Sequence, residues 1–187
     1  MIFRALIFSI SFIILFSCKN SAGNQDESIL QETMNSTTPE FVVDFPQKEN
    51  TVEKTETKDR SLGGIIVTNY ILKGQTNGNP YMYFVAHNHL PKKLQGLVAT
   101  DPQLKIAFKA MLTGSAEKLG GFDFKFTDID YEGQPGMESI CKVFHGQGVI
   151  KSRVYRIDNN IFMISAGGKF IDIESVDSFL NSFRLKV

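Results

Sequence analysis

The chain contains three histidines and two cysteines, the side chains best suited to bind a transition metal or attack an electrophile. His87-Asn88-His89 places two imidazoles two residues apart, on one face if the segment is a strand. Cys141 and His145 are four apart. Together His87, His89, Cys141 and His145 form a nominal Cys-His₃ donor set for zinc. Cys141 with His145 or His87 is the candidate thiol–base pair. Both chemistries need convergence, because zinc bonds are only about 2.0–2.3 Å long, and a nucleophilic thiol needs a lowered pKa and a base in reach. The neighbours argue for something plainer. Ile140 and Val143 favour burial of Cys141, His89 precedes Leu90-Pro91, and His145 abuts Gly146. The expectation is three histidines at strand ends, one inert buried thiol, no catalytic residue and no cofactor.

Other polar motifs are weaker. Asp128, Asp130 and Glu132 alternate along one strand face but lack the Gly and bidentate Glu of a calcium loop. Gly63-Gly64, Gly120-Gly121 and Gly167-Gly168 are too short to cradle phosphate and are expected at turns. Lys92-Lys93 and the pair Lys151, Arg153 are expected to be ordinary surface. The tyrosines at 70, 81, 83, 131 and 155 could line a small-molecule pocket, though in a sheet they more often pack across strands.

The elements that position these residues belong to a chain of 187 residues with 42% hydrophobic and 21% charged residues. Such a chain forms one globular domain with short extras and excludes a disordered, collagenous or polytopic membrane protein. Lys plus Arg and Asp plus Glu are both 20. Without a basic excess the chain is not expected to bind nucleic acid.

Residues 1–17 are expected to be a leader. Arg4 is followed by an apolar run from Ala5 to Phe16, broken by Ser9 and Ser11. That run is shorter than the roughly 20 residues of a membrane helix and has the parts of an export signal. It ends in Leu15-Phe16-Ser17-Cys18, which resembles the lipobox of bacterial lipoproteins at Leu15, Ser17 and Cys18 and departs from it at the bulky Phe16. The resemblance implies cleavage before Cys18 and acylation of its sulfur. Two or three acyl chains would make attachment to a bilayer effectively permanent. Losing Arg4 with the leader leaves 19 basic against 20 acidic residues. Cys141 would then be the one free thiol, so an intrachain disulfide is not expected.

Residues 18–39 read as the acylated Cys followed by a tether. Lys19 to Pro39 is polar, with few apolar residues, and cannot bury enough surface to fold alone. Residues 40–187 change to short alternating strands. Phe41–Pro46 is a first strand, and Thr51–Arg60 is a charged edge strand. Ile65–Lys73 and Tyr81–Asn88 are apolar on both faces, so each must be covered above and below. Gly74–Pro80 joins them as a hairpin connection.

Asp101-Pro102 opens a helix with Leu104, Ala107, Phe108 and Met111 in one stripe, ending at Gly120-Gly121. A meander follows. Gln134-Pro135-Gly136-Met137 suits a type II turn, and Gly146-Gln147-Gly148 and Asn159-Asn160 suit further turns. A last helix carries Val176, Phe179, Leu180 and Phe183, with Ser175 as its cap. The fold class expected is α+β: an α/β/α sandwich with a mainly antiparallel sheet of about seven or eight strands and two helices.

Four motifs, in order, resemble the Mog1/PsbP-like domain superfamily: Phe41-x-Val43-x-Phe45-Pro46, Gly133-Gln134-Pro135-Gly136-Met137-Glu138, Arg153-x-Tyr155-Arg156 ahead of Asn159-Asn160-Ile161-Phe162, and Val176-x-x-Phe179-Leu180-x-Ser182-Phe183. The resemblance covers residues 40–187. It implies an α/β/α sandwich whose members mostly bind or assemble other proteins, and it brings no catalytic residues. The function expected is a non-enzymatic lipoprotein of the bacterial cell envelope, held at the bilayer by Cys18 and binding another envelope protein, with the outer membrane favoured. A small-ligand or metal-binding module is the alternative, and a thiol enzyme at Cys141 the third.

Overall fold

In the computed structural model the described residues are 40–46, 52–59, 65–90 and 101–186. The expected leader, acylated Cys18 and tether lie outside them. The elements in chain order are β1 (Phe41–Val42), β2 (Glu53–Asp59), β3 (Ile65–Thr76), β4 (Asn79–His89), α1 (Asp101–Glu117), β5 (Phe122–Tyr131), β6 (Gln134–Val143), β7 (Gly148–Ile157), β8 (Asn160–Lys169), α2 (Ile173–Asn181) and β9 (Arg184–Leu185). Seven strands form one sheet in the order β2-β3-β4-β8-β7-β6-β5, antiparallel throughout. β1 and β9 form a separate antiparallel ribbon. The fold is α+β, with two helices and a mainly antiparallel sheet.

Side-chain alternation explains the layers. Along β4, Phe84 and Ala86 point to one face and Tyr83 and Val85 to the other, and all four are buried. The first face meets Leu104, Phe108 and Leu112 of α1, spaced four apart on one helical stripe. The second face meets Val176, Phe179 and Leu180 of α2, with Phe41, Val43 and Phe45 packed beside them. The sheet is therefore covered on both sides, as its doubly apolar strands require. β2 (EKTETKD) lies at one edge, where its charges oppose pairing with another chain.

A row of small polar residues lies beneath α1. Ser139, Ser152 and Ser165 are cross-strand neighbours on β6, β7 and β8, and all are buried. The Ser165 hydroxyl donates to Ser152 Oγ at 2.8 Å, and Ser115 Oγ on α1 donates to the Leu112 carbonyl at 3.0 Å. Short side chains at this crossing let helix and sheet approach closely while the Ser115, Ser152 and Ser165 hydroxyls keep partners.

Turn positions differ from the expectation by one or two residues. The β5–β6 turn is Glu132-Gly133, both with positive φ, and Gln134-Pro135-Gly136 belongs to β6. Gly133 supplies the left-handed position, and its N–H donates to Asp130 Oδ1 at 2.8 Å. The β7–β8 turn is Asp158-Asn159, with Asp158 at φ 54°, so Asn160 begins β8. The cap of α2 is Asp172, whose carboxylate accepts from the Glu174 and Ser175 N–H groups, and not Ser175 itself.

Gly167-Gly168 is not a turn; it lies inside β8. A Cβ on Gly167 would sit 2.4 Å from the Val149 carbonyl oxygen and 2.7 Å from Ile150 Cα. Those are backbone atoms of the adjacent strand and cannot swing aside. Gly167→Ala should therefore lower stability by about 1–3 kcal/mol through overpacking. An unchanged melting temperature by circular dichroism would show that β7 and β8 do not approach this closely.

Candidate functional site

The chemically capable residues separate onto the two faces and two ends of the sheet. His87 and His89 lie on β4 at its C-terminal end, on the face that carries α2. The Asp158-Asn159 turn delivers Asn160 directly opposite His89. Asn160 Oδ1 stands 3.2 Å from His87 Nε2 and 3.3 Å from His89 Nδ1. An amide oxygen only accepts, so His87 carries its proton on Nε2 and His89 on Nδ1. The Leu90 N–H donates to the Asn159 carbonyl at 2.7 Å and closes this end of the sheet.

His87 is buried, with the Phe162 ring at 4.7 Å and the Phe41 ring at 6.3 Å between centroids. Burial pushes its pKa below the ordinary value; the bond to Asn160 opposes this and the neighbouring His89 adds to it. The lowered pKa favours the neutral imidazole, which suits a ring packed beside Phe162 and Phe41. His89 is exposed.

Cys141 lies on the other face of the sheet, buried under α1 beside Ala116, Val143 and Ile150. Burial pushes its pKa up to about 11, with a backbone hydrogen bond to Ile150 pulling slightly the other way. At pH 7 only about one thiol in 10⁴ would be ionised. His145 lies past the end of β6, exposed, in a turn at the opposite end of the sheet from His87. The four residues thus divide into a His87–His89 pair joined by Asn160, a buried thiol and an isolated histidine. Among the described residues no group of three or more His, Cys, Asp or Glu is placed to hold a metal ion. Cys18 lies outside the described residues.

Asp128 pairs with Lys105 at 2.6 Å, Asp130 holds the turn at Gly133, and Glu132 is itself a turn residue. These carboxylates have separate tasks. Lys151 and Arg153 are not ordinary surface: their side chains are only 16% and 17% exposed. Both pair with Glu138 on β6, Lys151 also with Asp177 on α2 at 2.7 Å, and Arg153 donates to Asn181 Oδ1 at 2.8 Å. Burial opposes the Lys151 charge, but Asp177 and Glu138 outweigh it and raise its pKa. This cluster fastens α2 to the sheet. Sequence reading missed it because its members come from three elements; the period-two spacing of Lys151 and Arg153 was the available signal.

A cavity beneath α1, bordered by Ser152, Ser165, Phe84 and Met163, measures about 30 Å³. That is room for one water. No family model, curated protein or solved structure matches this chain.

Two outcomes follow from the titrating groups. The His87 pKa is lower in the folded protein than in the unfolded chain, so the unfolded chain binds more protons between the two values. Stability from this residue is complete above the ordinary value of 6.5 and falls as pH drops below it. Unfolding by urea at about pH 7 and at about pH 5 should show a larger loss for the wild type than for His87→Gln. Equal losses would mean that His87 titrates normally. In a Cys18→Ser chain, Cys141 should react with an aromatic disulfide reagent at least about 100-fold more slowly when folded than in denaturant. Rapid native labelling would show the thiol to be accessible and ionised.

Proposed function

We propose that this protein is a non-enzymatic lipoprotein of the bacterial cell envelope. Cys18 carries acyl chains, residues 19–39 act as the tether, and the domain of residues 40–187 binds another envelope protein. The observation that carries this reading is the run Ala5–Phe16 ending in Leu15-Phe16-Ser17-Cys18, behind the single basic Arg4. Among the described residues no helix is long and apolar enough to cross a membrane.

The geometry supports the non-enzymatic part through what the reactive groups are already doing. The Cys141 thiol is buried and held protonated, and His87 is packed beside Phe162 with its Nε2 on Asn160. A cavity with room for one water lends little support to a small-ligand module. The helix–sheet–helix layering is the architecture that the resemblance to Mog1/PsbP-like domains implies. Assignment to that superfamily, and the protein-binding role that goes with it, belongs to the proposal. The outer membrane is the favoured address, because Lys19 rather than Asp follows Cys18.

The test is the mass of the mature N-terminus from native membranes. The expected product begins at Cys18 and carries acyl chains, incorporates labelled palmitate, and loses both in Cys18→Ser. An intact leader, or a mature N-terminus without acyl groups, overturns the reading.

A further inference from the structure

Four of the six large apolar side chains exposed among the described residues gather at one end of the sheet. They are Phe122 at 44%, Phe144 at 39%, Phe170 at 67% and Ile173 at 44% exposure. Phe122 opens β5, Phe144 follows β6, Phe170 follows β8, and Ile173 opens α2. With strands about 4.8 Å apart, the line from Phe170 to Phe122 crosses roughly 15 Å of the sheet end. The Phe170 N–H donates to the Gln147 carbonyl at 3.2 Å and ties the β6–β7 turn to the segment after β8.

The backbone holds these rings outward at a cost. Phe144, His145 and Gly146 have φ of 49°, 55° and 87°, three left-handed residues in succession, and Phe170 has φ of 54°. Bulky L-residues avoid this region. At Phe170, 67% exposed, burial does not offset it; Phe144, 39% exposed, rests part of its ring against Gly148. Strained backbone presenting apolar side chains is a mark of a contact surface.

We propose that this end of the sheet is a membrane-contact tip that inserts Phe122, Phe144, Phe170 and Ile173 into the headgroup boundary of a bilayer. The tip projects from turns and strand ends, and a fluid lipid interface accepts projecting apolar groups without a matching pocket. Lys169 Nζ lies 5.3 Å from the centre of the Phe170 ring, an arrangement in which the ring enters and the ammonium meets lipid phosphates. Of the nearby acids, Asp123 pairs with Lys142 at 2.7 Å and Asp172 caps α2, while Glu174 beside Ile173 is exposed.

The tether can reach. It joins the domain at β1, whose Phe41 packs on His87 at the opposite end of the sheet. Residues 19–39 span at most about 70 Å when extended, against roughly 33 Å for a ten-residue strand. The bilayer that holds Cys18 is thus accessible to the tip, and tethering raises the effective concentration of a weak contact. This last step rests on the anchored reading; the tip itself does not.

The sequence contains no tryptophan, so Phe170→Trp gives a single fluorescent probe. The full-length protein would be reconstituted into phosphatidylethanolamine–phosphatidylglycerol vesicles with or without brominated acyl chains. The probe's emission should shift to the blue and be quenched roughly twofold or more by the brominated lipid. Ile66→Trp, at the other end of the sheet, should stay unquenched. Adding Phe122→Ser and Phe144→Ser to the Phe170→Trp chain should remove most of the quenching while the circular dichroism spectrum is unchanged.

Solvent-like emission from Phe170→Trp, or equal quenching of both probes, overturns the tip. So does protection of Phe170→Trp only by crosslinking to one envelope protein, which would make the surface a protein dock. A Cys18→Ser chain titrated with vesicles separates the two readings. Quenching there at high lipid, with no acyl groups on the native protein, removes the anchor and keeps the tip. Acylated protein with an unquenched probe does the reverse.

Discussion

The structure depends on burying both faces of its central strands at once. Tyr83, Phe84, Val85 and Ala86 on β4, and Ile161 to Ala166 on β8, leave no face for water. Fully burying a large apolar side chain contributes about 1.5–3 kcal/mol, so an uncovered face would forfeit several such contributions. α1 covers one face, and α2 with the β1–β9 ribbon covers the other. The first and last described strands serve this need directly. β1 and β9 come from the two ends of the domain, and the Phe41 ring sits between Tyr70, His87 and Phe162. The aromatic cluster continues through Phe183 to Tyr131 and Tyr155.

Covering two faces also decides what happens to the reactive groups. A histidine on the α2 face of a doubly covered strand must be neutral and bonded, and His87 is both. A cysteine under α1 becomes a small apolar filler. The charged residues admitted to the α2 interface, Glu138, Lys151 and Arg153, reach charge balance with Asp177 of α2, and Arg153 also bonds Asn181. One buried polar atom among the described residues has no partner, Asn69 Oδ1 on β3.

Apolar exposure is concentrated where coverage stops. The sheet's two ends differ: Leu90 and Asn159 close one by a hydrogen bond, while Phe122, Phe144 and Phe170 stand out at the other. This asymmetry gives the domain an end that faces inward on itself and an end that faces outward.

Much of this was legible in the residues. Two-sided apolar runs at Ile65–Lys73 and Tyr81–Asn88 demanded cover above and below, and the Leu104–Phe108 and Val176–Phe179–Leu180 stripes supplied it. Gly146 and the segment Gly74–Pro80 announced turns, and the structure narrows the second to Asn77-Gly78, both with positive φ. The charged strand at Glu53–Asp59 announced an edge. These features are local: they follow from period, propensity and solvation of neighbouring residues. Register is not local. Moving the β7–β8 turn by one residue, from Asn159-Asn160 to Asp158-Asn159, takes Asn160 out of solvent and sets its amide against His87 and His89. Which face Cys141 shares, how closely Gly167 meets Val149, and that Glu138 meets Asp177 depend on how strands from distant parts of the chain align. Sequence alone determined the strands, the helices and the need for two layers of cover; tertiary pairing decided which side chains meet, because a shift of one residue along a strand exchanges its faces.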